Sequence, residues 1–367
     1  MIKQLFKILV IAFLLVTSTF KDVIAKEVTV VSNGGSWQSA QERAMFKPFT
    51  SKTGIKVNAF PDAESYALVK LRTQVESKNI TWDVINLRPE TIAQACDEGL
   101  IEKFNIDEVL SPSPDGTPAS KDFFTEFQIP CTAPMIVYSI QFAYNTKKYG
   151  TNGPKTVVDI FDVKKFPGKR GLQKVPYNNL EWALIADGVS RTKVREVLAT
   201  EKGLDRAFAM MDRIKNHIVW WDNAATGIQQ LASGEVDIAT NYNGRLWVAA
   251  VNEGQPIKVI WDHQIYTVTS WVVVKGRMTD EVRSFLRSST STTSLAEISK
   301  IISYGPTRRS SVAMNKGNWN NLDNGQDMTS AMPTYADNMN TAFSRDGQWW
   351  ADNGERINKR WEAWLLK

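Results

Sequence analysis

An α/β chain folded as two lobes is the class this sequence predicts, and three observations carry it. Short β-branched runs alternate with segments whose apolar residues recur at helical spacing, which means a mainly parallel sheet covered by helices. The length, 367 residues, suits about two domains. A long uncharged run, Pro134-Met-Ile-Val-Tyr-Ser-Ile-Gln-Phe-Ala-Tyr144, reads as one strand with the reach to pass from one lobe to the other.

The elements follow in order. Glu27-Val-Thr-Val-Val-Ser32 is a strand, and Asn33-Gly34-Gly35 turns the chain out of it. Residues 38–49 place Ala40, Ala44, Met45, Phe46 and Phe49 at helical spacing. Residues 54–60 form a second strand, 63–76 a helix, 82–86 a third strand, and 89–99 a helix ended by Gly99. Beyond the long strand, 158–166 is a short helix and Phe166-Pro-Gly-Lys-Arg-Gly171 a turn before a strand. Helices are expected at 179–189, 192–200, 204–214, 226–233 and 246–252, with strands at 218–221, 236–242, 256–261 and 267–275. Residues 279–302 and the Trp-rich 335–366 read as helical.

Composition removes several function classes. The chain is 43% hydrophobic, enough for real cores, so disorder is excluded. Its net charge is +5, of which residues 1–25 hold +2 through Lys3, Lys7, Lys21 and Asp22. The remainder is too small and too evenly spread for a nucleic-acid binder. His217 and His263 alone cannot build a His-rich zinc site, and with two Cys a four-Cys site is impossible. The phosphate-loop, dinucleotide and serine-elbow fingerprints are missing. No metal or cofactor and no enzymatic activity is expected.

Residues 1–25 read as a signal peptide. Lys3 and Lys7 precede an uncharged run from Ile8 to Val16, and Ala25 offers a small residue for cleavage. A membrane anchor would need about 20 apolar residues, and Lys21-Asp22 closes the stretch early. Export puts Cys96 and Cys131 in an oxidising compartment, which argues for one disulfide, with two buried thiols as the alternative.

Several segments, in order, resemble the periplasmic solute-binding proteins of ATP-driven (ABC) importers, in their spermidine/putrescine-binding branch. They include Thr53-Gly-Ile-Lys-Val57, Trp82-Asp-Val84, Cys96-Asp-Glu-Gly-Leu100 and Phe166-Pro-Gly-Lys-Arg170. Further on come Asn179-Leu-Glu-Trp-Ala-Leu184, Gly234-Glu-Val-Asp237, Tyr242-Asn-Gly-Arg245, Trp271-Val-Val-Val-Lys-Gly276 and Tyr304-Gly-Pro-Thr307. Trp349-Trp-Ala-Asp-Asn353 and Arg360-Trp-Glu-Ala-Trp364 close the series, which spans about 340 residues. The resemblance implies a periplasmic-binding-protein-like fold of type II. A ligand cleft lies between two lobes, and two or three crossing strands act as the hinge. The lobes are expected at 26–136 plus 268–310 and at 137–267 plus 311–367. The implied protein is a periplasmic monomer that binds a small solute and docks on an inner-membrane ABC permease. The implied solute is an amine of the polyamine type.

In such a fold the ligand sits at strand ends. Trp37, after Gly34-Gly35, resembles a ligand-contacting aromatic, though the start of the next helix would also use a core Trp there. Glu181 and Asn178 resemble a carboxylate and its neighbour that pair with a ligand amine. The dipole of the helix would favour Glu181 by itself. Tyr242 resembles an aromatic that packs on ligand methylenes and offers cation–π contact. Arg245 can fork a ligand carboxylate, or make a surface salt bridge. Tyr304 resembles another cleft aromatic, and Trp221 is the best placed of the central tryptophans. Thr267 and Thr269 stand where polyamine binders carry an Asp that grips an ammonium. A diamine needs two anions, since a desolvated ammonium is costly without one. Asp222 and Asp262 are the substitutes on offer. A zwitterionic ω-amino acid such as 4-aminobutyrate, or another small carboxylate, is therefore the alternative ligand. A ferric-iron binder is less favoured because no two tyrosines are adjacent.

Overall fold

The computed structural model describes residues 26–61 and 64–367, with the side chains of 64–66 left out. The expected signal peptide lies outside the described residues. Among the described residues eleven strands make one sheet: β1 (Glu27–Ser32), β2 (Lys56–Pro61), β3 (Val84–Leu87), β4 (Ala133–Asn145), β5 (Arg170–Gln173), β6 (Ile218–Trp221), β7 (Ile238–Tyr242), β8 (Ile257–Val259), β9 (Ile265–Val273), β10 (Gly305–Pro306) and β11 (Phe343–Ser344). The main order is β2-β1-β3-β9-β4-β7-β5-β6.

Pairing within each lobe is parallel: β1 with β2 and β3, and β5 with β6 and β7. The strands that join the lobes are antiparallel to their neighbours, β9 against β3 and β4, and β4 against β7. Parallel strands need crossover helices that cover both sheet faces, which is why these strands read as short apolar runs. All 13 residues of β4 are buried. Its first half pairs with β9 and its second with β7, so it carries the sheet from one lobe into the other.

The segment 309–340 also ties the lobes. Helix Arg309–Asn315 hydrogen-bonds the helix Thr292–Ile298 through Ser311 and Asn315. The expected lobe boundary after residue 310 falls inside this helix. Farther on, Met328 and Met332 pack on Trp247.

Two long helical readings are interrupted. Residues 279–302 form two helices, Asp280–Ser289 and Thr292–Ile298, because Ser291 caps the second by accepting from Ser294 N. Residues 335–366 form a short helix Ala336–Met339, then β11, then the helix Gly347–Leu365 capped by Asp346. Ser291 and Asp346 each open a new helix by accepting from its first turn, so the chain restarts there.

The structure contains the Cys96–Cys131 disulfide, with Cα atoms 6.2 Å apart. It fastens the helix Pro89–Asp97 to the chain entering β4. No helix among the described residues is long and apolar enough to cross a membrane.

Candidate functional site

A cleft of about 630 Å³ opens where the two lobes meet. Its lining comes mainly from residues at strand ends. Asn33, Gly34, Gly35 and Trp37 follow β1, Arg88 follows β3, Lys174 follows β5, Asp222 and Asn223 follow β6, and Arg245 follows β7. Its floor is a belt of four rings. Trp37 meets Tyr304 edge-on at 5.4 Å, Tyr304 lies 6.2 Å from Tyr138, and Tyr138 lies 5.6 Å from Tyr242. The belt runs from one lobe, over the crossing strand β4, to the other. It offers apolar faces to a ligand's methylenes and ring faces to a cation.

Gly34 and Gly35 take positive φ, as the turn requires. They aim Trp37 at the cleft, where its Nε1 donates to Asn86 Oδ1 at 2.7 Å. Asn86 in turn donates to Thr269 Oγ1 and to Ser270 O, so Trp37 is fixed to β9. Thr269 is thus both in the lining and bound to Asn86.

Arg245 is 9% exposed and crosses between lobes. Its Nη2 donates to the carbonyls of Asn33 at 3.2 Å and Gly34 at 3.1 Å. A Cβ on Gly35 would collide with Nη1, so glycine there is what admits the guanidinium. Arg88 makes a second contact between lobes by donating to Tyr177 Oη. The two arginines hold the lobes in a closed arrangement.

Of the residues that the sequence nominates for the site, Trp37, Trp221, Tyr242, Arg245, Thr269 and Tyr304 line the cleft. Asn178, Glu181 and Thr267 are buried outside it. Glu181, 3% exposed, accepts from Trp350 Nε1 at 2.8 Å. Burial pushes its carboxyl up to about 7, against the downward pull of that hydrogen bond and of the Arg345 charge. That hydrogen bond ties down the C-terminal helix, whose Trp350 also meets the Tyr177 ring edge-on at 5.9 Å. Glu181, expected to meet a ligand amine, is not among the residues that line the cleft. Asn178 takes φ 68° before the helix Asn179–Ala186, a backbone role. Asp262 is also away from the lining. It accepts from Val157 N at 2.8 Å and pairs with His263 Nδ1 at 2.9 Å.

Arg88, Tyr138, Gln173 and Lys174 line the cleft and were missed by sequence reasoning. Arg88 and Lys174 directly follow strands, the same signal that drew attention to Trp37 and Arg245. Tyr138 sits inside an apolar run with nothing to set it apart. Its Oη accepts from Arg345 Nη2 at 3.3 Å, and Arg345 also pairs with Glu90 at 3.2 Å.

Comparison with known proteins fixes the family. A sequence profile of the bacterial extracellular solute-binding proteins matches residues 44–325. The chain belongs to that family. A relative named gamma-aminobutyric acid-binding protein, from Pseudomonas aeruginosa, is 33% identical over 346 residues, which is 94% of this chain and 92% of the relative. MotA from A. tumefaciens B6, solved in complex with glucopine, has a TM-score of 0.81 at 27% identity, covering 92% of this chain and 99% of that one. A GABA receptor structure has a TM-score of 0.76 at 28% identity, covering 93% and 98%. The periplasmic-binding-protein-like fold and the role follow: this is the substrate-binding component of an ABC transporter, a non-enzymatic protein that binds a small ligand and works with the permease. These relatives lend the polyamine reading no support.

Proposed function

We propose that the protein is a periplasmic, monomeric receptor for a zwitterionic ω-amino acid such as 4-aminobutyrate. The charge arrangement of the cleft carries this reading. Arg88, Lys174 and Arg245 stand among the described lining residues with Asp222 as the one carboxylate. A dication would meet mostly like charge, whereas a carboxylate meets guanidinium forks from both lobes. Asp222 takes the amine in place of Glu181, and the ring belt takes the methylenes between. The relatives named for gamma-aminobutyric acid support the same class. Bridging both lobes with one small molecule favours the closed state, since the ligand contacts both halves only there.

Titration calorimetry with 4-aminobutyrate, 5-aminovalerate, putrescine and spermidine tests the reading. The ω-amino acids are expected to bind at least a hundredfold tighter than the polyamines. Tighter putrescine binding would overturn it. Mass analysis of the exported protein checks the location, with cleavage expected after Ala25.

A further inference from the structure

Gln173 and Trp221 end neighbouring strands. β5 and β6 run parallel with these two residues opposite each other, and both side chains line the cleft. Both are buried, at 6% and 2% exposure. Gln173 Oε1 and Trp221 Nε1 nevertheless have no hydrogen-bond partner among the described residues. A buried acceptor beside a buried donor, each left unpaired, is costly to keep, and facing a binding cleft it points to a ligand group.

The pair is held in place. Asn179 Nδ2 donates to Gln173 O at 2.8 Å, and Lys174 N donates to Trp221 O at 3.0 Å. Gly227 makes room for the indole, since a Cβ there would lie 3.0 Å from Trp221 Cγ and Cδ1. The cleft also has space to spare. Its 630 Å³ lies within the range that takes drug-sized molecules, and a C4 zwitterion fills only a fraction of it.

We propose that Gln173 and Trp221 form a second subsite of the cleft, which takes a hydroxyl or carboxamide carried on an extension of the ligand. The proposal rests on the carboxylate-binding reading above and widens the substrate class to longer carboxylates with such a group. A hydroxyl satisfies both atoms at once, donating to Gln173 Oε1 and accepting from Trp221 Nε1. A carboxamide does so with its two ends. An ammonium can only donate and leaves the indole unpaired. A carboxylate can only accept and repels the amide oxygen.

The test is calorimetry on the purified protein with 4-aminobutyrate, its N-(2-hydroxyethyl) derivative and its N-propyl derivative, which has the same length without the hydroxyl. The hydroxyethyl compound is expected to bind at least tenfold tighter than the propyl compound. Trp221→Phe, which removes the donor and keeps an aromatic, and Gln173→Leu should each reduce that advantage below threefold. Equal affinities for the two derivatives in the unsubstituted protein overturn the subsite and leave the carboxylate reading standing. A failure of all three compounds to bind overturns both. A tighter fit for an N-carboxyethyl derivative than for the hydroxyethyl one also overturns it, because it would mean the subsite offers donors only.

Discussion

Arg245 serves the closed arrangement and the solute with the same guanidinium. Its Nη2 is spent on the Asn33 and Gly34 carbonyls, which leaves the rest of the fork to face the cleft. Arg245→Ala should therefore weaken 4-aminobutyrate binding by at least tenfold, given about 1.5–3 kcal/mol for hydrogen bonds to a charged group. Arg245→Lys should recover little, because an ammonium cannot fork. Calorimetry on both variants checks this. Gly35→Ala should mimic the loss without touching a ligand contact, since its Cβ occupies the space of Nη1 at a positive φ. Glu181 belongs to stability instead. Its folded carboxyl titrates near 7, above its ordinary range, so the folded state favours the neutral form. That contribution is intact below the ordinary carboxyl range. It is lost as pH rises through about 7 and changes no further above it. Urea unfolding from pH 4 to pH 8 should show the native protein losing stability relative to Glu181→Gln, by up to about 3 kcal/mol at the alkaline end. Parallel pH curves for the two would remove Glu181 as the cause.

Among the elements, the helix Pro89–Asp97 shows how a staple and a strand cooperate. Cys96 joins it to Cys131, and Arg88 at its start reaches the other lobe. Serine at both cysteines should lower stability by up to roughly 3–4 kcal/mol, from the entropy of a loop spanning 35 residues. A denaturant midpoint that moves in the double variant, and moves equally in reduced native protein, is the expected outcome. The elements themselves were legible where a period and a boundary residue agreed. β1 with Asn33-Gly34-Gly35, and the helix Pro89–Asp97 ended by Gly99, are examples. Residues 335–366 misread as one helix because tryptophans keep a helical spacing, while β11 depends on pairing with Ile265 and Tyr266 far away in sequence. The site divided in the same way. Residues straight after strands could be found by position, as Trp37 and Arg245 were. Glu181 has the right type at a helix start, but its burial under Trp350 is set by a helix some 170 residues later, which no local pattern reports.

At the scale of the whole molecule, closure depends on contacts that sequence order scatters widely. Arg245 and Arg88 bridge the cleft rims, β4 and β9 cross beneath it, and Arg43 pairs with Asp323 on the outside. Exposed ion pairs such as the last contribute about 0–1 kcal/mol, so the cleft contacts decide the balance. Small-angle scattering should report a smaller radius of gyration for the native protein with 4-aminobutyrate than for Arg245→Ala without it. Saturating ligand at 100 times its dissociation constant should add about 2.7 kcal/mol to unfolding.

The helix Gly347–Leu365 has a further consequence. Its first turn abuts Pro89 in one lobe, and its tryptophans fill the surface around Phe208 and Trp220 in the other. Until this helix docks, the apolar surfaces it covers around Pro89 and around Phe208 and Trp220 stay bare, so its docking is the step that shields both lobes from unwanted association during folding.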